Sequence, residues 1–423
     1  KSCEDELNSL SPNNKNEIEQ YIDAKTTYDM VKLMQKYGFD SWQSNIICSE
    51  LGCHSYLYTM NTYTYNKGKL DKNSYDEAKS NYDKFIAKLN EGDWKYFATI
   101  SLEDIEEQIK NAKNTDSSNL NTLYTKKQIL EWRIDKNIAY GSDALNNRLE
   151  NYENASYYIE SYKEQKNPSY SEKIEYYKNV KSLNINKYYI ENNITNASSS
   201  DSRASLLNLF DNYELFILVF IIMIAGGIVS DEFNKGTIKM LLVRPYHRCK
   251  ILLSKFIVCL IMLIFIMFFI AIGQFIVGGI ILGFDSLSVP AIIYNYATSQ
   301  VQTMSIPMYI VIAGLAKLPM YILLMTLAFA CSTIFINTAV SIVIPLLGYM
   351  GSSIINQLAI VYNIKLINYF VTPNWDLTSY LFGGLSQFEG LVPSFSISIC
   401  IIYFAIMFVT SFAVFRKRNI KNI

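Results

Sequence analysis

The stretch Phe256-Ile-Val-Cys-Leu-Ile-Met-Leu-Ile-Phe-Ile-Met-Phe-Phe-Ile-Ala-Ile-Gly-Gln-Phe-Ile-Val-Gly-Gly-Ile-Ile-Leu282 runs for 27 residues without a charge. A helix of about 20 such residues crosses the hydrocarbon of a bilayer, so this stretch reads as a membrane span. Upstream, residues 215–229 are apolar but too short alone. They need part of 206–214, which places Asp211 and Glu214 near one interface and gives a span over about 209–229. Downstream, residues 307–336 are apolar but interrupted by Lys317 and Pro319. The expectation there is a core over 318–336, preceded by a short interfacial helix. Residues 339–360 and 395–415 read as two more spans. A soluble protein buries one or two such helices; five in half a chain define an all-α, polytopic membrane helix bundle.

The rest of the chain has another solvent. Of 38 Lys+Arg and 38 Asp+Glu in 423 residues, only 12 and 7 lie from Leu206 onward. Residues 1–205 are polar, rich in Lys, Asn, Glu and Tyr, and read as a large helical domain. Tyr82, Phe85, Ile86 and Leu89 share a helical face. Ser101-Leu-Glu-Asp104 looks like a capping-box start before Ile105 and Ile109, and Leu130, Ile134 and Ile138 continue the pattern, as do Leu145, Leu149, Tyr152 and Ile159. Residues 196–202 form a polar linker. The many tyrosines there serve either as core and half-exposed faces or as an adaptable binding surface. The Asn, Lys, Ile and Tyr bias is that of an AT-rich genome, such as a low-GC bacterium. The zero net charge gives no pointer to nucleic acid.

Basic residues in short loops face the cytoplasm. Segment 230–255 carries Lys235, Lys239, Arg244, Arg248, Lys250 and Lys255, and the tail carries Arg416, Lys417, Arg418 and Lys421. Loop 283–316 has none, and loop 361–394 has only Lys365. The expected orientation is a cytoplasmic C-terminus and an extracytoplasmic domain at 1–205. Five spans then require a further span before Lys1, since residues 1–10 contain no signal-peptide core. If residues 1–205 are outside, Cys48 and Cys53 are spaced for a local disulfide. His54 and His247, the two histidines, have no neighbouring ligand cluster, so no metal site is expected.

Between the first two spans, Phe233, Thr237, Met240 and Leu241 follow helical spacing, which predicts a short amphipathic helix along the membrane face, ended by Pro245. The ordered set Glu232, Gly236, Thr237, Leu241, Leu242, Pro245, Arg248 and Lys255, with Ser332-Thr333, Phe335, Asn337 and a last span closing on Phe-Arg-Lys-Arg, resembles the permease subunits of ABC-2 type ABC transporters over residues 206–423. The resemblance implies a half-transporter whose segment 231–255 docks on a separate ABC ATPase. Glu232, Phe233, Gly236, Thr237, Leu241, Leu242, Pro245 and Arg248 would be the coupling residues. It implies an ATPase homodimer that holds ATP and Mg, and a second permease, identical or homologous. The bland alternative is an ordinary positive-inside loop. The chain has no phosphate-binding loop: Gly68-Lys69 lacks the earlier glycine, and Gly383-Gly-Leu-Ser-Gln387 lies outside the spans. No cofactor of its own and no catalytic set are expected.

The function expected on these grounds is export of a peptide, an antimicrobial one among them, or of a lipid-like molecule. The alternative is a non-transporting receptor or surface-attachment protein. Lys317 either snorkels to the interface or touches a substrate. Gly226, Gly227, Gly273, Gly278 and Gly279 are expected to serve close helix packing, with a hinge or substrate path as the alternative, and Gln274 and Gln357 to make helix–helix hydrogen bonds rather than stand as polar groups in a lumen.

Overall fold

The computed structural model describes residues 2–48, 53–66, 70–113, 120–141, 143–237 and 247–418. The chain forms two compact units, one of residues 1–160 and 186–194, the other of 161–185 and 195–423. The second unit therefore takes in 161–185 as well as the expected membrane half.

The first unit is helical: α1 (Ser2–Ser9), α2 (Ile18–Tyr37), α3 (Trp42–Cys48), α4 (Cys53–Asn66), α5 (Lys72–Glu91), α6 (Trp94–Lys113), α7 (Leu120–Asp135) and most of α8 (Ala144–Glu164). The α5 face buries Phe85 and Leu89, which meet Phe97 of α6 and Leu57 of α4 in one core. Phe85 and Phe97 lie edge to face at 5.3 Å, a favoured aromatic geometry. A second core joins Trp132, Ile138, Leu145, Leu149 and Ile190. The expected helix start at Ser101 is corrected: α6 begins at Trp94, and Asp93 accepts from the Tyr96 amide at 3.2 Å. A side chain that already satisfies a first-turn amide leaves no reason to restart at Ser101. Cys48 and Cys53 are not joined: both are free thiols, Cys53 fully buried and Cys48 exposed with its Sγ 3.4 Å from Met34 Sδ.

In the second unit, after the first part of α9 (Tyr170–Glu191), whose residues 186–191 belong to the first unit, come α10 (Ser202–Leu207), α11 (Leu209–Asn212), α12 (Glu214–Asn234), α13 (Arg248–Leu282), the hairpin β1 (Ala291–Asn295) and β2 (Gln300–Met304), α14 (Ile306–Phe335), α15 (Thr338–Val361) and α16 (Pro393–Lys417). Among the described residues, α12 to α16 are the five helices long and apolar enough to cross a membrane. The protein is an all-α polytopic membrane protein.

Packing explains each helix's composition. On α13, Leu252, Phe256, Cys259, Leu263 and Met267 form the buried stripe, at steps of three and four residues. Its other faces expose Ile261, Phe265, Phe268, Phe269 and Ile280, a surface suited to acyl chains. Phe256 meets Phe329 of α14 at 5.3 Å and Phe408 of α16 at 5.1 Å. The helix α12 packs on α13, α14 and α15. At Gly226 an added Cβ would lie 3.2 Å from the Ser341 carbonyl of α15, so the backbones touch there.

Three span boundaries differ from expectation: α12 runs Glu214–Asn234 rather than over about 209–229, with Leu209–Asn212 a separate short helix before it. Helix α14 is continuous from Ile306, with Lys317 and Pro319 inside it, and no separate interfacial helix precedes it. Pro319 removes one backbone donor, which neighbours in a membrane bundle absorb. Helix α13 starts eight residues before Phe256, at Arg248. The hairpin, paired Ala291 to Met304 through Asn295 to Gln300, was not anticipated.

Candidate functional site

Lys317 lies about 16 Å along α14 from its start, at 1.5 Å per residue. A buried ammonium is costly unless its donors are matched. Here they are. Lys317 Nζ donates to Glu214 Oε2 at 2.6 Å and to Asp376 Oδ2 at 2.7 Å, and stands 2.9 Å from Asp211 Oδ1. Its side chain is 4% exposed. The snorkelling expectation is thereby corrected: the charge is turned into the bundle, where three carboxylates hold it. Local geometry delivers each partner. Glu214 opens α12, and Asp211 sits in the short α11 before it. The Leu377 amide donates to the Ala316 carbonyl at 3.2 Å, which seats the neighbouring Asp376 against α14. Asp376 Oδ1 also accepts from the Thr378 amide at 2.9 Å and hydroxyl at 2.6 Å. Tyr349 of α15 donates to the other oxygen of Glu214 at 2.6 Å. Glu214 and Asp376 are thus fully engaged. Asp211 is not: its side chain is 68% exposed, and its Oδ2 has no hydrogen bond among the described residues.

This cluster lines a cavity of about 580 Å³ within the second unit. Tyr294, Tyr296, Tyr309 and Phe382 give it aromatic walls, and Tyr177, Lys178 and Lys181 of α9 stand along it. Tyr309 and Phe382 stack with centroids 6.3 Å apart. Burial, with Tyr294 beside it, pushes the Tyr296 phenol up to about 12, so it remains a donor. Surrounding protein lowers the Lys181 ammonium below the ordinary lysine value, although the residue as a whole is exposed. Around the cavity, Arg203 of α10 donates to the Val289 and Pro290 carbonyls at 3.0 and 2.8 Å, which ties the approach to α12 onto loop 283–290.

A second site lies at the basic end of the bundle. Glu232 and Phe233 belong to the last turn of α12, not to a separate surface helix. Glu232 Oε1 pairs with Lys255 Nζ of α13 at 2.5 Å, and Lys255 also donates to the Ile228 carbonyl at 3.0 Å. Phe233 is buried against Phe415 of α16. Gly236 has φ +70°, a left-handed turn that glycine enters freely. The Thr237 hydroxyl lies 3.4 Å from the Glu232 carbonyl. Arg248 donates to the Arg418 carbonyl at 2.9 Å, and Arg418 in turn donates to the Thr333 and Ile334 carbonyls of α14. Leu241, Leu242 and Pro245 lie outside the described residues, as does the central part of the expected amphipathic helix.

Lys317 was legible in the sequence as an odd charge in a span. Asp376, Tyr349 and Lys181 were not, since nothing local marks them. Gln274 of α13 accepts at 2.6 Å from the hydroxyl of Tyr213, the residue between α11 and α12, so it bonds to a helix cap rather than to a neighbouring span, and Gln357 is exposed and makes no hydrogen bond among the described residues.

Fold and sites define a polytopic α-helical membrane protein with a charged cavity at one end of its spans and a clamped basic junction at the other. The chain belongs to the family described as a protein of unknown function, DUF2705, whose model matches residues 176–421. It is similar to the uncharacterized protein YhcI of Bacillus subtilis (strain 168), 28% identical over 240 residues, 57% of this chain and 76% of that one. It is also similar to the uncharacterized membrane protein YdbK of the same organism, 29% identical over 233 residues, 54% of this chain and 87% of that one. No solved structure matches the chain.

Proposed function

We propose that the chain is the membrane subunit of an ATP-driven exporter of the ABC-2 permease kind. A separate ABC ATPase, a homodimer holding ATP and Mg, docks at segment 231–255, and a second permease, identical or homologous, completes the pathway. Residues 1–205 lie outside the cell and the C-terminus inside, in the membrane of a low-GC bacterium. The cargo is an amphipathic peptide, an antimicrobial one included, or a lipid-like molecule.

The observation that carries this reading is the joinery of the basic end. A docking element is useful only if force applied to it reaches the spans rather than bending a loop. Glu232 with Lys255 ties α12 to α13. Arg248 and Arg418 tie α13, α16 and α14 together. A push on the intervening segment is therefore delivered to four spans. The ordered motif residues and the positive-inside loops support the same reading.

The test is capture. A tagged chain solubilised in mild detergent is expected to retain an ATPase that carries a phosphate-binding loop. Replacing residues 238–246 by a Gly-Ser linker should abolish the association while the protein still purifies as a folded particle. A chain that retains no such ATPase, and works in ATP-depleted cells, would favour the receptor or surface-attachment reading instead.

A further inference from the structure

We propose that the cavity lined by Lys317 and its carboxylates binds a short amphoteric peptide, its ammonium end on Asp211 and its carboxylate end on Lys181. The inference names a ligand class for the exporter reading above, but it stands on the cavity and does not require an ATPase.

Charge assigns the two ends. Three carboxylates face the one ammonium of Lys317, so two negative charges there lack a partner. Glu214 and Asp376 spend their oxygens on Lys317, Tyr349 and Thr378. The open acceptor is Asp211 Oδ2, on a side chain that faces out of the cluster. A cluster of this net sign attracts an ammonium and repels an anion. The α9 side of the lining has the opposite sign. Lys178 is neutralised by Glu175 at 3.1 Å. Lys181 has no hydrogen bond or ion pair among the described residues. It is a cation held in surroundings that disfavour its charge, which an arriving carboxylate would relieve.

Size and walls select a peptide. The volume, about 580 Å³, lies within the roughly 300–1,000 Å³ of small-ligand sites. Tyr294, Tyr309 and Phe382 line the same cavity, apolar faces at which a side chain can lie, with the two phenol tips able to bond an amide. Asn208 adds an amide donor and acceptor. A free anion leaves Asp211 unmatched, and a simple amine leaves Lys181 unmatched.

The experiment measures binding of a panel of free-ended tripeptides with aromatic or aliphatic central residues to the purified full chain in detergent, by calorimetry. Saturable binding by at least one member is expected. Asp211→Asn should weaken that peptide by about tenfold or more, the scale of a charge-assisted bond, and leave its N-acetylated form unaffected. Lys181→Gln should weaken it similarly and leave the C-amidated form unaffected. Lys181 makes no hydrogen bond or ion pair among the described residues that its loss would break, and Lys317 retains Glu214 and Asp376 in the first variant, so both variants should keep the site folded. No saturable binding by any tripeptide, or losses as large for the blocked forms as for the free ones, overturns the proposal. Binding of phosphatidylethanolamine vesicles in preference to every peptide overturns it in favour of a lipid. None of these outcomes bears on whether an ATPase docks at the other end.

Discussion

Lys317 shows how one buried charge can be either the strongest or the weakest point of a bundle. With its three carboxylates it cross-links α11, α12, α14 and the loop at Asp376, and through Glu214 it reaches Tyr349 of α15. Removing the cation alone leaves Glu214 and Asp376 facing each other without compensation. Lys317→Met should therefore cost about 3–5 kcal/mol, as for other broken buried pairs, and lower the melting temperature of the detergent-solubilised protein sharply. The same substitution combined with Glu214→Gln and Asp376→Asn removes the stranded charges and should recover much of the loss. Glu214→Gln alone should be milder than Lys317→Met, since Lys317 retains two carboxylates. A melting curve for Lys317→Met that matches the parent would mean that the cluster is hydrated and contributes little.

At the scale of elements, the spans are held by close approach rather than by any hydrophobic gain between them, since lipid is as apolar as leucine. Gly226 is the test. An added Cβ would lie 3.0 Å from Ile342 Cγ1 and 3.2 Å from the Ser341 backbone, whereas one at Gly273 would meet nothing within 4 Å. Gly226→Leu should destabilise by roughly 1–3 kcal/mol or more, the cost of overpacking, and Gly273→Ala should be tolerated; thermal melts of the two variants decide it. Gly227 and Gly278 face only side chains of their own helices, so close packing explains Gly226 and not the whole set. What was legible follows the same logic. Span existence depends on local hydropathy, so all five spans could be read directly, as could the α5 and α8 faces. The course of α14 could not be read, because Lys317 looks like a boundary until its partners, 59 and 103 residues away in the chain, are known. The Ser101 pattern fails for a related reason: it marks a helix start only if the helix has not already begun, and α6 begins at Trp94, behind Asp93.

The whole molecule carries its own topology reporters. Cys48 and Cys249 are exposed, Cys3 is half-buried, and Cys53, Cys259, Cys331 and Cys400 are buried. Under the proposed orientation Cys48 lies outside the cell, while Cys249, two residues into the start of α13, lies at the cytoplasmic end beside Lys250. A sulfonated maleimide added to intact cells of a Cys3→Ser background should therefore label the chain at Cys48 alone. A further Cys48→Ser change should abolish that signal. Permeabilising the cells should then reveal Cys249, measured as a second labelled peptide by mass spectrometry. The order matters because it decides more than sidedness. ATP is cytoplasmic, so labelling of Cys249 in intact cells, with Cys48 protected, would put segment 231–255 beyond the reach of any ATPase. It would remove the ATP-driven reading together with the orientation, while leaving the charged cavity and its ligand chemistry to stand on their own geometry.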